Sequence, residues 1–136
     1  MDFTNITKNY DNSYIGATIF LKEVEDPQRF GVAEIYRKMS MYNNEVRVTS
    51  IVEKPKEPKS KYAVTGIYIY DKTVFNRIKT LKKSARNELE ITDLNNLYLN
   101  DCLLTAKLMK DIDWWTDAGT FESLANATNL VKIKNI

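Results

Sequence analysis

The stretch AVTGIYIYDKTVFNRIKTL, residues 63–81, decides the fold class because its pattern changes from strand to helix. Residues 63–71 are apolar and rich in β-branched and aromatic side chains, which is typical of a buried strand. From there on, apolar side chains recur at helical spacing and Asp71 is the predicted cap. The inner side chains of this helix are predicted to be Val74, Phe75, Ile78 and Leu81. A strand that leads directly into a helix indicates a fold that mixes the two.

Three strand-like segments precede this junction. They are YIGATIFLKEV (14–24), GVAEIYR (31–37) and VRVTSIV (46–52). A turn around Pro27 separates the first two, because proline interrupts regular pairing. Asn43 and Asn44 suit the tip of the next hairpin, since asparagine tolerates a positive φ. The first half of the chain is therefore predicted to be mostly strand.

Helical patterns dominate the second half. ITDLNNLYLND (91–101) is predicted to be a helix capped by Thr92, and TFESLANATNLVKI (120–133) a helix capped by Thr120. LLTAKLMK (103–110) is predicted to be a strand, and DWWTDAG (113–119) a short strand with a loop. The inner stripe of the first helix is predicted to contain Leu94, Leu97 and Tyr98.

The predicted class is α/β, a mixed β-sheet flanked by helices. Residues 15–136 are expected to form a single domain, preceded by a poorly patterned N-terminal segment, residues 1–14. A length of 136 residues is enough for one hydrophobic core.

Composition excludes several classes of function. The chain has no histidine and a single cysteine, Cys102, so histidine-based triads, internal disulfides and cysteine-rich zinc sites are excluded. Cys102 is expected to be inert packing. A net charge of +2 gives no general basic field for nucleic acid, and no run of about 18 apolar residues predicts a membrane span. We expect a soluble cytoplasmic protein with no nucleic-acid or membrane partner.

The unusual polar residues follow strands or lie in loops. Glu53 and Lys54 end one strand, Gly66 interrupts another, Arg86 lies in a loop, and Asp117 follows two tryptophans. Ligands gather at strand ends in open α/β sheets, so these positions can converge. A carboxylate suits sugar hydroxyls, lysine and arginine suit a phosphate, and an aspartate suits Mg²⁺. The combination predicts a phosphorylated sugar with a metal ion.

Each of these residues also has a structural interpretation. Glu53 and Lys54 fit a solvated strand end, Arg86 an ordinary surface position, and Asp117 a turn residue before a helix. Gly66 suits either close approach by a ligand or another backbone, or relief of packing against a helix. With four glycines, at 16, 31, 66 and 119, the chain has no glycine-rich turn that cradles phosphate. The residues alone leave both interpretations open.

Five blocks taken together resemble a known family. GATIF, DPQRFGV, EKPKEPKSKYAVTGIYIYD, RNELEITDLNNLYL and WWTDAGT occur in the order found in the sugar-nucleotide pyrophosphorylases, across residues 15–131. Within that family the resemblance is strongest to the thymidylyltransferases that act on glucose-1-phosphate. It implies transfer of a nucleotide, normally from dTTP, to glucose-1-phosphate, giving dTDP-glucose and pyrophosphate.

The resemblance assigns the sugar pocket to five residues. Gly31 corresponds to the glycine whose backbone touches the sugar, and Glu53 to the residue that hydrogen-bonds glucose hydroxyls. The residues that would line the pocket are Val64, Gly66 and Tyr68.

The resemblance assigns the binding of the phosphate and of the metal to three further residues. Lys54 corresponds to the lysine that pairs with the sugar phosphate, and Arg86 to an arginine that reaches the same phosphate. Asp117 corresponds to a Mg²⁺-binding aspartate, so Mg²⁺ is the implied cofactor. The reaction needs no covalent intermediate, because positioning and neutralisation of phosphate charge do the work.

The chain departs from the family at its beginning. Members start with a glycine-rich nucleotide-binding loop, a base-recognition segment and a first Mg²⁺-binding aspartate, and this chain has none of these motifs. The expected fold is therefore a partial nucleotide-diphospho-sugar transferase fold without the N-terminal nucleotide-binding half.

Three interpretations follow from this departure. The chain is part of a nucleotidyltransferase that needs a nucleotide-binding partner chain, a non-catalytic sugar-phosphate-binding or regulatory protein, or a structural protein. An incomplete sheet should also expose an edge and apolar surface, which predicts a homo-oligomer.

Overall fold

The computed structural model describes residues 10–36, 44–110 and 114–134. Its strands are β1 (Ala17–Glu23), β2 (Gly31–Tyr36), β3 (Glu45–Glu53), β4 (Tyr62–Tyr70) and β5 (Leu104–Leu108). Its α-helices are α1 (Val74–Ile78), α2 (Ile91–Asn100) and α3 (Phe121–Lys134), and a short 3-10 turn covers Pro27–Arg29. The strand-rich first half and helical second half confirm the predicted α/β class.

The five strands form a closed barrel in the order β1-β4-β2-β3-β5. Neighbouring strands run antiparallel except β1 and β5, which are parallel, so the predicted mixed sheet is confirmed. The predicted open sheet edge is wrong for the described strands, because each has a neighbour on both sides. The seam between β2 and β4 is narrow, with the single register pair Val32–Ala63.

Two hydrophobic clusters hold the barrel together. The first consists of inward-facing side chains from all five strands: Ile19, Leu21, Ala33, Val48, Ile51, Val64 and Ala106. The second lies between β1 and α2, where Ala17, Leu94 and Tyr98 are buried. Burial on both faces explains why β1 has a continuous apolar run instead of an alternating one.

The helix predictions succeed in part. Thr120 caps α3 as predicted, since its hydroxyl accepts a hydrogen bond from the Ser123 amide at 3.1 Å. Thr92 does not cap α2, because the helix begins at Ile91 and its N-cap is Glu90, two residues before Thr92. The predictions that Phe75 and Ile78 face inward are also wrong, since Ile78 is 37% exposed. Helix α1 has only five residues, and Phe75 is 70% exposed.

Two loop predictions are wrong as well. Cys102 is exposed instead of packed, and it adopts a φ of 59° just beyond the end of α2. Residues 114–118 contain no strand, although residues 111–113 lie outside the described part of the chain. Asn44 has a φ of 54°, as its predicted turn position requires, whereas Asn43 lies outside the described residues. No helix in the described ranges is long and apolar enough to cross a membrane.

A buried carboxylate joins the second cluster to the strands. Asp71 is 6% exposed and accepts hydrogen bonds from the Gly16 amide at 2.7 Å and from the Tyr98 hydroxyl at 2.9 Å. Asp71 also accepts a hydrogen bond from the Thr73 amide at 2.9 Å. Thr73 is the N-cap residue of α1, so the prediction that Asp71 is the cap is wrong. Burial acts to raise the pKa of Asp71, but the hydrogen bonds from Thr73, Gly16 and Tyr98 outweigh it and leave the pKa below its usual value.

We predict that Asp71→Asn lowers the free energy of unfolding by about 1.5–3 kcal/mol at pH 7, since bonds to a charged acceptor are lost. The folded-state pKa is depressed, so the contribution is present above the unfolded pKa of about 4 and disappears as the pH falls through the folded value. Urea unfolding between pH 7 and pH 2 measures this. A difference between wild type and variant that stays constant with pH would contradict the ionised carboxylate.

Candidate active site

Four of the relevant residues surround one point at the end of the barrel. Gly31 begins β2 and Glu53 ends β3, and the two lie directly opposite each other in the antiparallel register. A Cβ atom on Gly31 would lie 3.2 Å from Oε2 of Glu53, 3.3 Å from Oγ1 of Thr92 and 3.7 Å from Cβ of Val64. A side chain at position 31 would therefore crowd this carboxylate.

The Glu53 carboxylate is held by one strong hydrogen bond. The buried Thr92 hydroxyl donates to Oε2 of Glu53 at 2.6 Å, so α2 fixes the end of β3. No other hydrogen bond to this carboxylate comes from the described residues, which leaves Oε1 available to accept from a ligand hydroxyl. Sequence reasoning missed this role because Thr92 was interpreted as a helix cap.

Lys54 follows in an unusual backbone conformation. Its φ is +42°, and its amide donates to the Phe30 carbonyl at 2.9 Å. The positive φ turns the chain sharply directly after Glu53, and the Phe30 bond keeps it there. Its side chain is exposed to solvent. The lysine is thus presented next to the carboxylate on a fixed backbone.

Arg86 lies in the same group of charges. Its Nη2 atom is 2.9 Å from Oε1 and 2.8 Å from Oε2 of Glu90, and its Nε is 3.2 Å from Oε1. Hydrogen bonds from Ser84 and Arg86 lower the pKa of Glu90, and the positive charge of Lys54 adds to the effect. The hydrogen bond to Glu90 and its charge raise the pKa of Arg86, with a smaller contribution from Glu53. Glu53, Lys54, Arg86 and Glu90 therefore act on one another.

Strand β4 supplies a less polar wall. Val64, Gly66 and Tyr68 belong to this strand, whose pairing with β1 is irregular between the Val64 and Tyr68 positions. Val64 is buried in the barrel core, and Tyr68 is half-buried with its ring 5.9 Å from that of Tyr70. Burial raises the pKa of Tyr68, and the negative charge of Glu53 contributes to the increase. A Cβ on Gly66 would meet nothing within 4 Å, so relief of packing against a helix is wrong for the described chain.

Asp117 lies in a separate ion pair. Nη2 of Arg29 is 3.0 Å from Oδ1 and 2.9 Å from Oδ2 of Asp117. Oδ2 also accepts from the Gly119 amide at 3.1 Å and from the Ser123 hydroxyl at 3.3 Å. No described contact joins this carboxylate to Glu53, Lys54 or Arg86. The connection is indirect: the Trp115 ring packs edge-on against Phe30 at 5.1 Å, and Phe30 holds Lys54.

Hard oxygen donors surround Asp117. A cavity of about 480 Å³ beside the start of α3 is lined by carboxylates, hydroxyls and an amide, including those of Asp26, Glu122, Ser123 and Asn126, and by the Arg29 guanidinium. Among the described residues, no three acidic or sulfur- or imidazole-bearing side chains lie close enough to hold a metal. A Mg²⁺ site with only one or two protein carboxylates takes its remaining ligands from substrate phosphate oxygens and water.

Two further residues were missed by sequence reasoning. Glu90 holds Arg86 from four positions along the chain, across a loop and not within a helix, so the helical pairing rule does not apply to it. Arg29 pairs with Asp117 across 88 positions, and no local pattern indicates such a partner.

Comparisons with known proteins agree with this architecture. The family model described as nucleotidyl transferase matches residues 1–133. A glucose-1-phosphate thymidylyltransferase of Neisseria meningitidis is 44% identical over 135 residues, covering 98% of this chain and 44% of the relative. A glucose-1-phosphate thymidylyltransferase of Mycolicibacterium smegmatis is 42% identical over 117 residues, covering 86% of this chain and 38% of the relative. The chain thus spans less than half the length of these relatives.

Solved structures give the same result. A Bacillus anthracis structure described as a glucose-1-phosphate thymidylyltransferase in complex with a sucrose superimposes with a TM-score of 0.79 at 50% identity, covering 96% of this chain and 49% of that one. UDP-glucose pyrophosphorylase in complex with UDP-glucose gives a TM-score of 0.77 at 24% identity, covering 97% and 48%, which supports the fold alone. The barrel, the five sequence blocks and the family match together establish that this chain belongs to the nucleotidyl transferase family.

Proposed function

We propose that this chain is the sugar-phosphate-binding part of a glucose-1-phosphate thymidylyltransferase, and that it needs a nucleotide-binding partner for turnover. The observation that carries the proposal is the grouping of Gly31, Glu53 and Thr92 beside Lys54 and Arg86. An acceptor for sugar hydroxyls and two cations for a phosphate lie at one end of one barrel. A packing role would not require this set of charges, which supports a ligand-binding role.

Each side chain has a role in the proposal. Oε1 of Glu53 accepts a hydrogen bond from a glucose hydroxyl, and the missing side chain of Gly31 lets the sugar approach the backbone. Lys54 and Arg86 bind the phosphate of glucose-1-phosphate, the arginine through its planar fork of donors. Val64, Gly66 and Tyr68 line the sugar ring. Free space at Gly66 is consistent with close approach of a ligand.

The proposed chemistry is an in-line substitution at phosphorus. A phosphate oxygen of glucose-1-phosphate attacks the α-phosphorus of dTTP, a new oxygen–phosphorus bond forms, and the bond to the β-phosphate oxygen breaks. Pyrophosphate leaves with the electron pair, and dTDP-glucose is the product. Lys54 and Arg86 hold the attacking group and neutralise its charge, which suits a reaction that needs positioning more than covalent chemistry.

Asp117 completes the proposal as a Mg²⁺ ligand. The cation would supply charge neutralisation on the reacting phosphates when bound. One carboxylate holds such an ion weakly without phosphate oxygens, so binding is expected to strengthen with the phosphorylated substrate present. The proposal also places the chain in the cytoplasm.

We predict that Lys54→Ala weakens binding of glucose-1-phosphate about tenfold or more, since a bond to a charged phosphate is lost. Isothermal titration calorimetry with glucose-1-phosphate, and with free glucose as the comparison ligand, measures the effect. Lys56→Ala is the matched control, because it removes a neighbouring exposed lysine outside the site. An equal loss of affinity for glucose-1-phosphate and for glucose would contradict the role of Lys54 in binding the phosphate.

Titration of the unmodified chain separates two functions. Binding without turnover, followed by turnover once a nucleotide-binding partner chain is added, supports the transferase. Binding that no partner converts into turnover supports a non-catalytic sugar-phosphate-binding protein. A folded chain that does not bind glucose-1-phosphate at all would overturn the proposal.

We also predict a homo-oligomer. Large apolar side chains are exposed in the described structure, including Ile15 at 72%, Phe75 at 70% and Phe121 at 95%. Association buries such surface, whereas the closed barrel offers no strand edge for pairing. Sedimentation velocity tests this, and a monodisperse monomer across the accessible concentrations would contradict it.

A further inference from the structure

The Asp117 carboxylate is already occupied by a cation of the chain itself. Nη2 of Arg29 lies 3.0 Å from one carboxylate oxygen and 2.9 Å from the other. A divalent ion that uses both oxygens of a carboxylate would take the same position. The side chains of Arg29 and Asp117 are 37% and 24% exposed, so the pair is reachable from solvent.

Arg29 is itself anchored at a second point. Its Nη1 donates to Oδ2 of Asp26 at 2.8 Å, three residues earlier in the same turn. Its guanidinium lies over the ring of Phe30 at 5.2 Å. The arginine therefore has a resting position that does not depend on Asp117.

Asp117 also keeps its place without Arg29. The Gly119 amide and the Ser123 hydroxyl both donate to Oδ2, and a Cβ on Gly119 would lie 3.1 Å from that atom. These contacts fix the carboxylate at the start of α3. Among the described residues, Arg29 alone donates a hydrogen bond to Oδ1 of Asp117. Each member of the pair is thus held separately, and the bond between them can open without unfolding either segment.

We propose that Arg29 is an internal competitor for Asp117, and that a divalent cation must displace it to bind. This inference rests on the proposed role of Asp117 as a cation ligand and adds a device that regulates that site. The two cations exclude each other because like charges at one carboxylate repel. Without the cation, the Arg29–Asp117 ion pair joins the turn before β2 to the loop before α3. Cation binding breaks this ion pair.

The release reaches the sugar side of the site through the chain. Arg29, Phe30 and Gly31 are consecutive; the Phe30 carbonyl holds the Lys54 amide, and Gly31 lies against Glu53. Cation binding at Asp117 therefore removes a contact that holds residues 29–31, the segment whose Phe30 carbonyl accepts from the Lys54 amide. A freed guanidinium is in addition a bidentate donor suited to phosphate oxygens.

Direct titration with Mn²⁺ tests the proposal, with the free-ion signal in electron paramagnetic resonance as the readout. Arg29→Gln is expected to bind Mn²⁺ about two- to fivefold more tightly than the wild type, the range that loss of a partly exposed competing ion pair allows. Arg29→Lys, which keeps the charge but not the planar fork, is expected to lie between the two. Asp117→Asn is expected to lose the site.

Arg77→Gln is the matched control. It removes one arginine from another ion pair, in which Nη1 of Arg77 is 2.6 Å from Oδ2 of Asp101, and changes the net charge equally. The Arg77 guanidinium also lies over the Tyr98 ring at 4.2 Å, so its folding is checked in the same way. Unchanged Mn²⁺ affinity in this variant shows that the gain in Arg29→Gln is local. Circular dichroism and urea unfolding establish that each variant is folded.

Each other outcome overturns a definite statement. Equal or weaker Mn²⁺ binding by folded Arg29→Gln, with Asp117→Asn still defective, overturns the competition and leaves Asp117 as a cation ligand. A gain of the same size in Arg77→Gln also overturns it. Mn²⁺ binding that does not depend on Asp117, or no detectable Mn²⁺ binding by either the folded wild type or folded Arg29→Gln, overturns both the inference and the proposed cation role. The binding of glucose-1-phosphate tests the sugar site separately.

Discussion

The buried carboxylate of Asp71 sets the geometry on which the site depends. It receives the Gly16 amide from the start of β1 and the Tyr98 hydroxyl from α2. A buried charge is tolerated only when its lone pairs are satisfied, so these donors must stay in place together. Helix α2 is thereby fixed against the barrel, and the same helix delivers the Thr92 hydroxyl to Glu53. The position of the proposed sugar-binding carboxylate thus follows from a hydrogen-bond cluster on another part of the helix.

Most charges of the site are already paired within the chain. Arg86 is held by Glu90, and Arg29 is held by Asp117. Both pairs are partly exposed, and such pairs contribute little net stability. In the proposed function, exchanging Glu90 for a phosphate at Arg86, or Arg29 for a cation at Asp117, therefore costs little. Lys54 differs, since its exposed side chain is presented by a backbone held in a positive φ. The backbone therefore holds the side chains of the site in position before a ligand binds, and ion pairs within the chain neutralise the charges of Arg29 and Arg86.

Sequence patterns predicted those features of the fold that local physics decides. The strands, the Thr120 cap and the helix at α2 follow from apolar spacing and capping chemistry. The Thr92 prediction failed because the hydroxyl bonds to Glu53, 39 positions away, and no local rule includes that bond. The prediction that Phe75 faces inward failed because periodicity does not reveal that α1 ends after five residues. Closure of the barrel was missed for the same reason, since pairing of distant strands leaves no local signal.

The same limit separates the candidate residues from their partners. The side chains of Glu53, Lys54 and Arg86 were singled out because charges directly after an apolar strand or within a loop attract attention. Their convergence depends on the β2–β3 register and on α2, and both are properties of the folded chain. The grouping therefore emerges from the three-dimensional structure, while the chemistry of each residue is visible in the sequence.

Closure of the barrel also has a consequence for biosynthesis. Of the described strands, β1 comes first and β5 last, and the two pair in parallel, with Ala17 opposite Leu104. A ribosome must therefore release nearly all of the barrel sequence before the ring can form, and until then both β1 and β3 lack one neighbour. Such late, non-local closure slows folding and leaves strand edges open to association during translation. The nascent chain is thus most exposed to chaperones and to misassembly in the interval before β5 emerges from the exit tunnel.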